Sequence, residues 1–394
     1  MIQSIELKNF KSIKKKYFPL RKLNLLLGLN GMGKSSFIQS LLLLRQSENL
    51  GTYGELKLNG LSNGNGYVNI GTSKDARYQY AKKEETIDIS LQFNESESYE
   101  MNFNYEFESD ILKAQDNLLS STGMGIYYSY LIKHKSEALF SENFQYLNAN
   151  RIPPQSNHTK SFHNVVKLKN IGNFGEYTAH FIETFCNDEI NFDNLIHKKS
   201  VIKDEVLGTE IINKTLINQI NLWMGEISPG VNIRTTSISS DEVLLEYVYK
   251  QPNFGNTNRY KPENVGFGIS YALHVVTALL ATRRGELIII ENPESHIHPR
   301  GQAELGRLIA LTAQNDVQII IETHSDHLIN GIRVAIKENP ELKDDTIIFY
   351  FNKNVTDTEQ YSKIINIEID KNGELSEYPQ YMMDEWSNQL LKLL

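Results

Sequence analysis

The chain has one cysteine, Cys186. A single thiol excludes an internal disulfide and any zinc site built from several cysteines, and it fits a reducing compartment. No apolar run is long enough to span a bilayer; the four leucines at 41–44 are too few and belong to a helical pattern. The opening residues, MIQSIELKNFKSI, carry no secretory leader pattern, so the cytoplasm is the expected location. Positive charge is short as well. With 40 Lys and Arg against 48 Asp and Glu, the formal net charge is -8. That argues against a globally basic nucleic-acid binder and leaves only local patches. No internal repeat and no sustained heptad pattern is visible, which excludes a long coiled-coil arm.

Against these absences stands one dense motif, Gly28-Leu29-Asn30-Gly31-Met32-Gly33-Lys34-Ser35. An apolar run at 23–27 precedes it and a helical pattern at 37–44 follows. Strand, glycine-rich loop and helix are the setting that the phosphate loop GxxxxGK, with Ser or Thr next, requires. Backbone N–H groups in such a loop point at phosphate oxygens, and the positive end of the helix adds to the attraction. Lys34 is expected to reach the β- and γ-phosphates and Ser35 to hold Mg2+; Asn30, Gly31 and Ser36 complete the expected cradle. A glycine-rich turn between core elements is the plain alternative, and it leaves Lys34 at the helix start unexplained.

Lys8, Lys11, Lys14, Lys15, Lys16, Arg21 and Lys22 crowd the stretch before the loop, with Glu6 the acid among them. Such runs usually lie on solvated faces, here a hairpin; the functional reading is a phosphate-backbone contact surface. Residues 1–27 read as two strands joined by a basic turn. Residues 36–47 read as a helix, and NGLSNGNG at 59–66 as turn chemistry. Residues 86–93 and 100–107 alternate as an antiparallel pair, 144–150 reads as a buried strand, 177–185 and 211–224 as helices, and 231–250 as a hairpin. From 268 the pattern becomes helix and buried parallel strand in alternation: helix 268–283, strand 286–291, helix 300–314, strand 317–322, helix 325–337, strand 346–351. A single nucleotide-binding unit is expected to use both ends of the chain. The expected domains are 1–95, carrying the phosphate loop, an inserted lobe at 96–260, and 261–394 with the remaining site motifs.

Leu287-Ile288-Ile289-Ile290-Glu291 is an apolar run ending in an acid that suits the Mg2+ shell, as a Walker-B acid does. Asn292-Pro293-Glu294-Ser295-His296-Ile297-His298-Pro299 follows. A second strand ends in Glu322-Thr323-His324-Ser325-Asp326-His327, and Gly266-Phe267-Gly268 opens an apolar helix upstream. In this order the motifs resemble ABC-type ATPases of the RecF/SMC class. They are more closely similar to stand-alone bacterial ATPases related to the overcoming-lysogenization-defect family, in IELKNFKSI, GLNGMGKSS, IIIENPESHIHPRGQ and IIIETHSDHLI. The resemblance covers the two ends; in the middle it is weaker, in YLNANRIPP and around Gly175-Glu176-Tyr177. The TOPRIM nuclease domain of many such proteins has no counterpart in the motifs present.

The resemblance implies an α/β ABC-type P-loop fold with a mixed sheet, an antiparallel β lobe and an inserted α/β lobe. It implies that Gly28, Gly33, Lys34 and Ser35 bind ATP, that Glu291 is the Mg2+-associated acid and that His324 senses the γ-phosphate. Residues 264–270, with Gly266 and Gly268, stand where a signature loop closes over ATP held by a second subunit, so a homodimer is implied. Two departures matter. Gly266-Phe267-Gly268 has no serine before the glycines. Asn292 occupies the place of the glutamate that activates water, and an amide orients water without accepting its proton. Either Glu294 is the base, or hydrolysis is slow and ATP acts mainly as a dimer clamp.

The histidines at 296, 298, 324 and 327 admit a transition-metal reading, but their loops are where ATPase switch residues cluster; His296 and His298 are expected to shape the loop facing the other subunit. Arg151 reads as a structural ion pair, with a phosphate or nucleic-acid contact as the alternative. Tyr99, Phe103 and Tyr105 read as core rather than base-stacking platforms. The functional expectation is an ATP-hydrolysing dimeric switch controlling a nuclease or toxin effector, or a DNA transaction, in anti-phage defence or genome maintenance. A nucleotide-gated scaffold without turnover and a metal-dependent nuclease are the competing readings; a membrane transporter ATPase is disfavoured for want of a Ser-Gly-Gly signature.

Overall fold

Alternation of buried apolar residues with more accessible polar ones forms the first sheet. Ile5, Leu7, Ile87, Ile89, Leu91, Met101 and Phe103 are buried, and polar residues such as Glu6 and Lys8 occupy the positions between them. In the computed structural model, which describes residues 1–47, 50, 54–61, 66–94, 97–115, 136–203, 210–251 and 255–393, the chain divides into two compact units. The first comprises residues 1–142, 346–368 and 377–394, and the second comprises 143–345 and 369–376.

In the first unit, strands Ile13–Pro19, Ser4–Phe10, Ile87–Asn94 and Glu97–Phe103 lie side by side in that order, all antiparallel. Leu23–Gly28 is a separate strand, so residues 1–27 contain three strands where two were expected. Pro19 ends the second, and the turn that follows at 20–22 redirects the chain. The lysines at 14–16 therefore sit within a strand and not in a turn. Leu23–Gly28 runs parallel to Thr346–Val355, which in turn pairs antiparallel with Gln360–Ile367. Phe18, Phe37, Phe349 and Phe351 fill the space between these strands and the helix Lys34–Gln46; the Phe18 and Phe37 ring centroids are 4.6 Å apart. Of the NGLSNGNG turn, residues 62–65 lie outside the described residues; on either side of them Gly60 N–H donates to Val68 O.

In the second unit, Phe144–Leu147, Leu287–Glu291 and Gln318–Glu322 are parallel neighbours. The apolar runs 287–290 and 319–321 are those of strands buried on both faces. Helices Phe267–Leu280, Pro299–Ala313 and Asp326–Glu338 flank them in sequence. Pro299–Ala313 and Asp326–Glu338 approach through two glycines: a Cβ at Gly306 would lie 2.1 Å from Leu328 O, and one at Gly331 would lie 1.9 Å from Ala303 O. The hairpin Val231–Ser237 and Glu242–Gln251 is extended by Asn157–Thr159. Residues 211–224, expected as one helix, split. Glu210–Ile212 is a strand paired with Val201–Lys203, and the helix Leu216–Ile227 begins only after Asn213 Oδ1 accepts from Thr215 N. The strand expected at 144–150 stops at Leu147, where Asn148 Oδ1 turns to accept from Asn150 N.

The result is an α/β fold with a mixed sheet in the first unit and further antiparallel sheets. The longest described helix has 15 residues, so no long coiled coil is present among the described residues. No described helix is long and apolar enough to cross a membrane.

Candidate functional site

Three glycines shape the loop of the first unit. Gly28, Gly31 and Gly33 have φ of 131°, 76° and 104°, a region that side-chain-bearing residues rarely adopt. At Gly28 there is a second reason, since a Cβ would lie 2.1 Å from Phe351 O. At Gly33 it would lie 2.5 Å from Ser362 Oγ and 2.6 Å from Ser12 Oγ. Those two hydroxyls brace the loop: Ser362 Oγ donates to Met32 O (2.7 Å) and lies 2.8 Å from Ser12 Oγ, from which it can accept. Lys34 is 3% exposed, and its ammonium donates to Gly28 O (2.8 Å) and Leu29 O (3.1 Å), so the lysine lies across the mouth of its own loop. The helix Lys34–Gln46 has no side-chain cap and no acid in its first turn, which leaves its positive end facing the loop. Asn30, Gly31 and Ser35 are exposed, and Ser36 is buried. Beside the loop lies a cavity of about 360 Å³ lined by Lys11, Ser12, Met32, Arg77, Tyr78 and Tyr361, among others.

The nearby cations are mostly engaged. Lys8 pairs with Asp88, Lys14 with Glu359, Lys15 with Glu6 and Arg21 with Glu368, while Lys11 bonds Gln39 and Lys16 the carbonyl of Ile364. Such pairing is that of a solvated, charge-balanced sheet face.

In the second unit, the ends of the two central parallel strands bring Glu291, Asn292, Glu294 and His324 together. The Glu291 carboxylate accepts from Tyr146 Oη (2.9 Å) and Ala149 N (3.3 Å). Burial pushes its pKa up, opposed by these bonds and by the charge of Arg151. Asn292 sits at φ 44°, donates its N–H to Glu322 O (2.8 Å) and turns the chain back. Glu294 is buried; its Oε1 accepts from His324 N (2.9 Å), and its Oε2 has no hydrogen-bond partner among the described residues. His324 presents an exposed side chain at the tip of the second strand. Arg151 is 3% exposed and, among the described residues, is not in the ion pair expected of it; it donates to main-chain carbonyls, Nη2 to Glu291 O (2.6 Å) and Nη1 to Asn292 O (3.2 Å). A sequence does not distinguish a carbonyl partner from a carboxylate.

The two glycines at 266 and 268 differ in kind. A Cβ at Gly268 would lie 2.2 Å from His296 O, so this glycine is required by packing, whereas Gly266, at the helix N-cap, faces open space. Phe267 between them is 55% exposed, its ring 6.0 Å from that of His296. His298 Nδ1 accepts from Arg300 N and so caps the helix Pro299–Ala313. Among the described residues, no three His, Cys, Asp or Glu side chains gather as a metal cluster requires. Phe103 is fully buried and Tyr99 and Tyr105 half-buried, the last beneath Arg77.

Sequence reasoning missed Ser12, Ser362 and Phe351 around the loop. Nothing local marks them, since each acts through a contact more than 15 residues away. Tyr146 lay within the quoted YLNANRIPP string, but without a role.

A family model described as an AAA ATPase domain matches residues 1–329. The chain belongs to that family. A second model, described as a protein of unknown function (DUF3696), matches residues 343–393 of the same AAA ATPase domain protein. No curated protein matches the sequence. Among solved structures, the protein is similar to an Smc head bound to the C-terminal winged-helix domain of ScpA. That match has 14% identity and a TM-score of 0.53, and covers 94% of this chain and 98% of that one. It is also similar to an Smc head domain with an extended coiled coil bound to the C-terminal domain of ScpA, derived from Pyrococcus furiosus. There the identity is 12% and the TM-score 0.52, with 100% and 99% covered. The AAA ATPase domain protein thus has the fold of Smc heads, which is the ABC-type P-loop fold.

Proposed function

We propose that this AAA ATPase domain protein is an ATP-driven dimeric switch that hydrolyses ATP slowly. The observation that carries the reading is Lys34, an almost fully buried lysine whose ammonium donates to two carbonyls of a glycine loop. Burying that charge is costly unless the loop is built to hold it against an anion. The main-chain amides of 31–36 bind the phosphates, and the adjoining cavity, with its aromatic and cationic lining, takes the nucleoside. The hydroxyl of Ser35 and the carboxylate of Glu291 are oxygen donors of the kind Mg2+ prefers. Mg2+ supplies neutralisation of phosphate charge when bound. Glu294 holds the attacking water or takes its proton, Asn292 orients that water, and His324 registers the γ-phosphate.

The slow rate is argued from Glu294. One of its oxygens is held by the His324 amide, and the carboxylate is buried, so water reaches it only when the strand ends shift. Gly266, open at an uncapped helix N-terminus, is offered as the contact by which a second copy closes on the nucleotide. Control of a nuclease, toxin or DNA transaction in defence or genome maintenance rests on the resemblance to overcoming-lysogenization-defect ATPases, as does a homodimer in the cytoplasm. The decisive experiment is equilibrium binding of ATP to Lys34→Ala. Affinity is expected to fall at least 100-fold, and retained tight binding sinks the assignment.

A further inference from the structure

The segment from Tyr146 to Arg151 grips Glu291 twice. Tyr146 Oη and Ala149 N bond its carboxylate, and Arg151 Nη2 bonds its carbonyl. Arg151 also spans to the next peptide, with Nη1 and Nη2 each 3.2 Å from Asn292 O. Asn292 has φ 44°, a strained setting for a side-chain-bearing residue, and it begins the turn that leads to Glu294. The guanidinium has a neighbour on its other side: the Tyr271 ring lies 5.8 Å away, and Tyr271 Oη donates to Arg151 O. Arg151 Nε has no hydrogen-bond partner among the described residues. A buried cation with one donor unsatisfied is a poor choice for stability alone, and such exceptions call for a functional account.

We propose that Arg151 is a positioning residue: its planar fork fixes the Glu291–Asn292 main chain so that the Glu291 carboxylate is set for Mg2+ and Glu294 for water. The inference rests on the nucleotide reading given above. Geometry favours arginine over lysine, because the guanidinium holds Nη1 and Nη2 in one rigid plane against the two successive carbonyls, whereas an ammonium on a flexible stem fixes no such plane. Burial lowers the arginine pKa to about 10, and the charges of Glu294 and Glu291 oppose that fall, so the cation persists at neutral pH.

The test is a fluorescent-ATP titration of the full chain in EDTA and in Mg2+, comparing the parent with Arg151→Lys and Lys34→Ala. In the parent, Mg2+ is expected to tighten binding. Arg151→Lys is expected to bind within about twofold of the parent in EDTA, to lose at least fivefold of the Mg2+ gain, and to lower kcat at least tenfold with little change in KM. A Mg2+ gain within twofold of the parent overturns the proposal, and so does an equal loss in EDTA, which marks a merely structural residue. A parent with no Mg2+ gain overturns it too. Normal ATP binding by Lys34→Ala sinks the nucleotide reading and this inference together, whereas an undiminished gain in Arg151→Lys removes Arg151 alone. Should Arg151→Lys not fold, Tyr271→Leu removes the ring beside the guanidinium and is expected to cut the gain about threefold; an unchanged gain there overturns the role.

Discussion

In the proposed mechanism Glu294 and Asn292 divide between them the work that one glutamate does in the ABC pattern, and a single substitution separates their parts. Glu294→Gln keeps the shape and the acceptor for the His324 amide. Its turnover is expected to fall about 100-fold, the usual worth of a positioned base, with ATP affinity nearly unchanged; measured turnover equal to the parent removes Glu294 from the role. His274 offers a different residue-scale test. It is 2% exposed, its Nδ1 meets Thr178 Oγ1 at 2.8 Å, and burial depresses its pKa to about 3. Above the ordinary value of 6.5 it is neutral in both states and costs nothing. Between about 6.5 and 3 the unfolded chain takes a proton that the folded chain refuses, so stability falls as pH drops. His158, His180 and His197, also depressed by burial, push the same way; Glu176, Glu286 and Glu291, raised by burial, push against it. The difference between parent and His274→Asn isolates the one group. Urea unfolding from pH 7 to 5 is expected to give a slope shallower by up to about 1.4 kcal/mol per pH unit in the variant. Parallel slopes contradict a buried neutral His274.

At the scale of elements, the pairing of Pro299–Ala313 with Asp326–Glu338 depends on two backbone approaches that admit no side chain. Gly331→Ala is expected to lower stability by about 1–3 kcal/mol, the usual range for overpacking, and a thermal melt of the variant within a degree of the parent contradicts the close crossing. How far such elements are legible follows from their chemistry. The parallel strands at 287–291 and 318–322 read directly, because burial on both faces forces unbroken isoleucine runs. The strand Gln360–Ile367 does not read that way. Gln360, Tyr361, Ser362 and Lys363 have the polarity of an edge strand, and its partner Thr346–Val355 keeps only its first six residues buried. The helix start at Leu216 was misplaced because Ile211 and Ile212 extend the apolar pattern backwards, although their backbone is strand and both side chains are exposed. In the candidate site, the glycines, Lys34 and Glu291 were legible as a motif. The residues that hold them, Ser12, Ser362, Tyr146 and Arg151, were not, because each is defined by a distant contact.

At the scale of the whole molecule, the switch reading makes association the measurable output. ATP with Mg2+ is expected to convert the monomer to a dimer in sedimentation velocity, Glu294→Gln to hold that dimer longer than the parent, and Lys34→Ala to remain monomeric. A parent that stays monomeric at saturating ATP rules out the dimeric switch and leaves a monomeric ATPase.

The brace of Ser12 and Ser362 on Met32 and Gly33 also has a temporal meaning. A ribosome delivers residue 33 long before residue 362. At about 5–20 residues per second, the interval is on the order of half a minute. Through that time the glycine loop exists as sequence without its second hydroxyl, and without the Phe351 carbonyl against which Gly28 packs. A nascent chain therefore carries its glycine loop without these contacts until residue 362 has been added. A product that ends before residue 351 lacks both the carbonyl and the hydroxyl that the loop packs against.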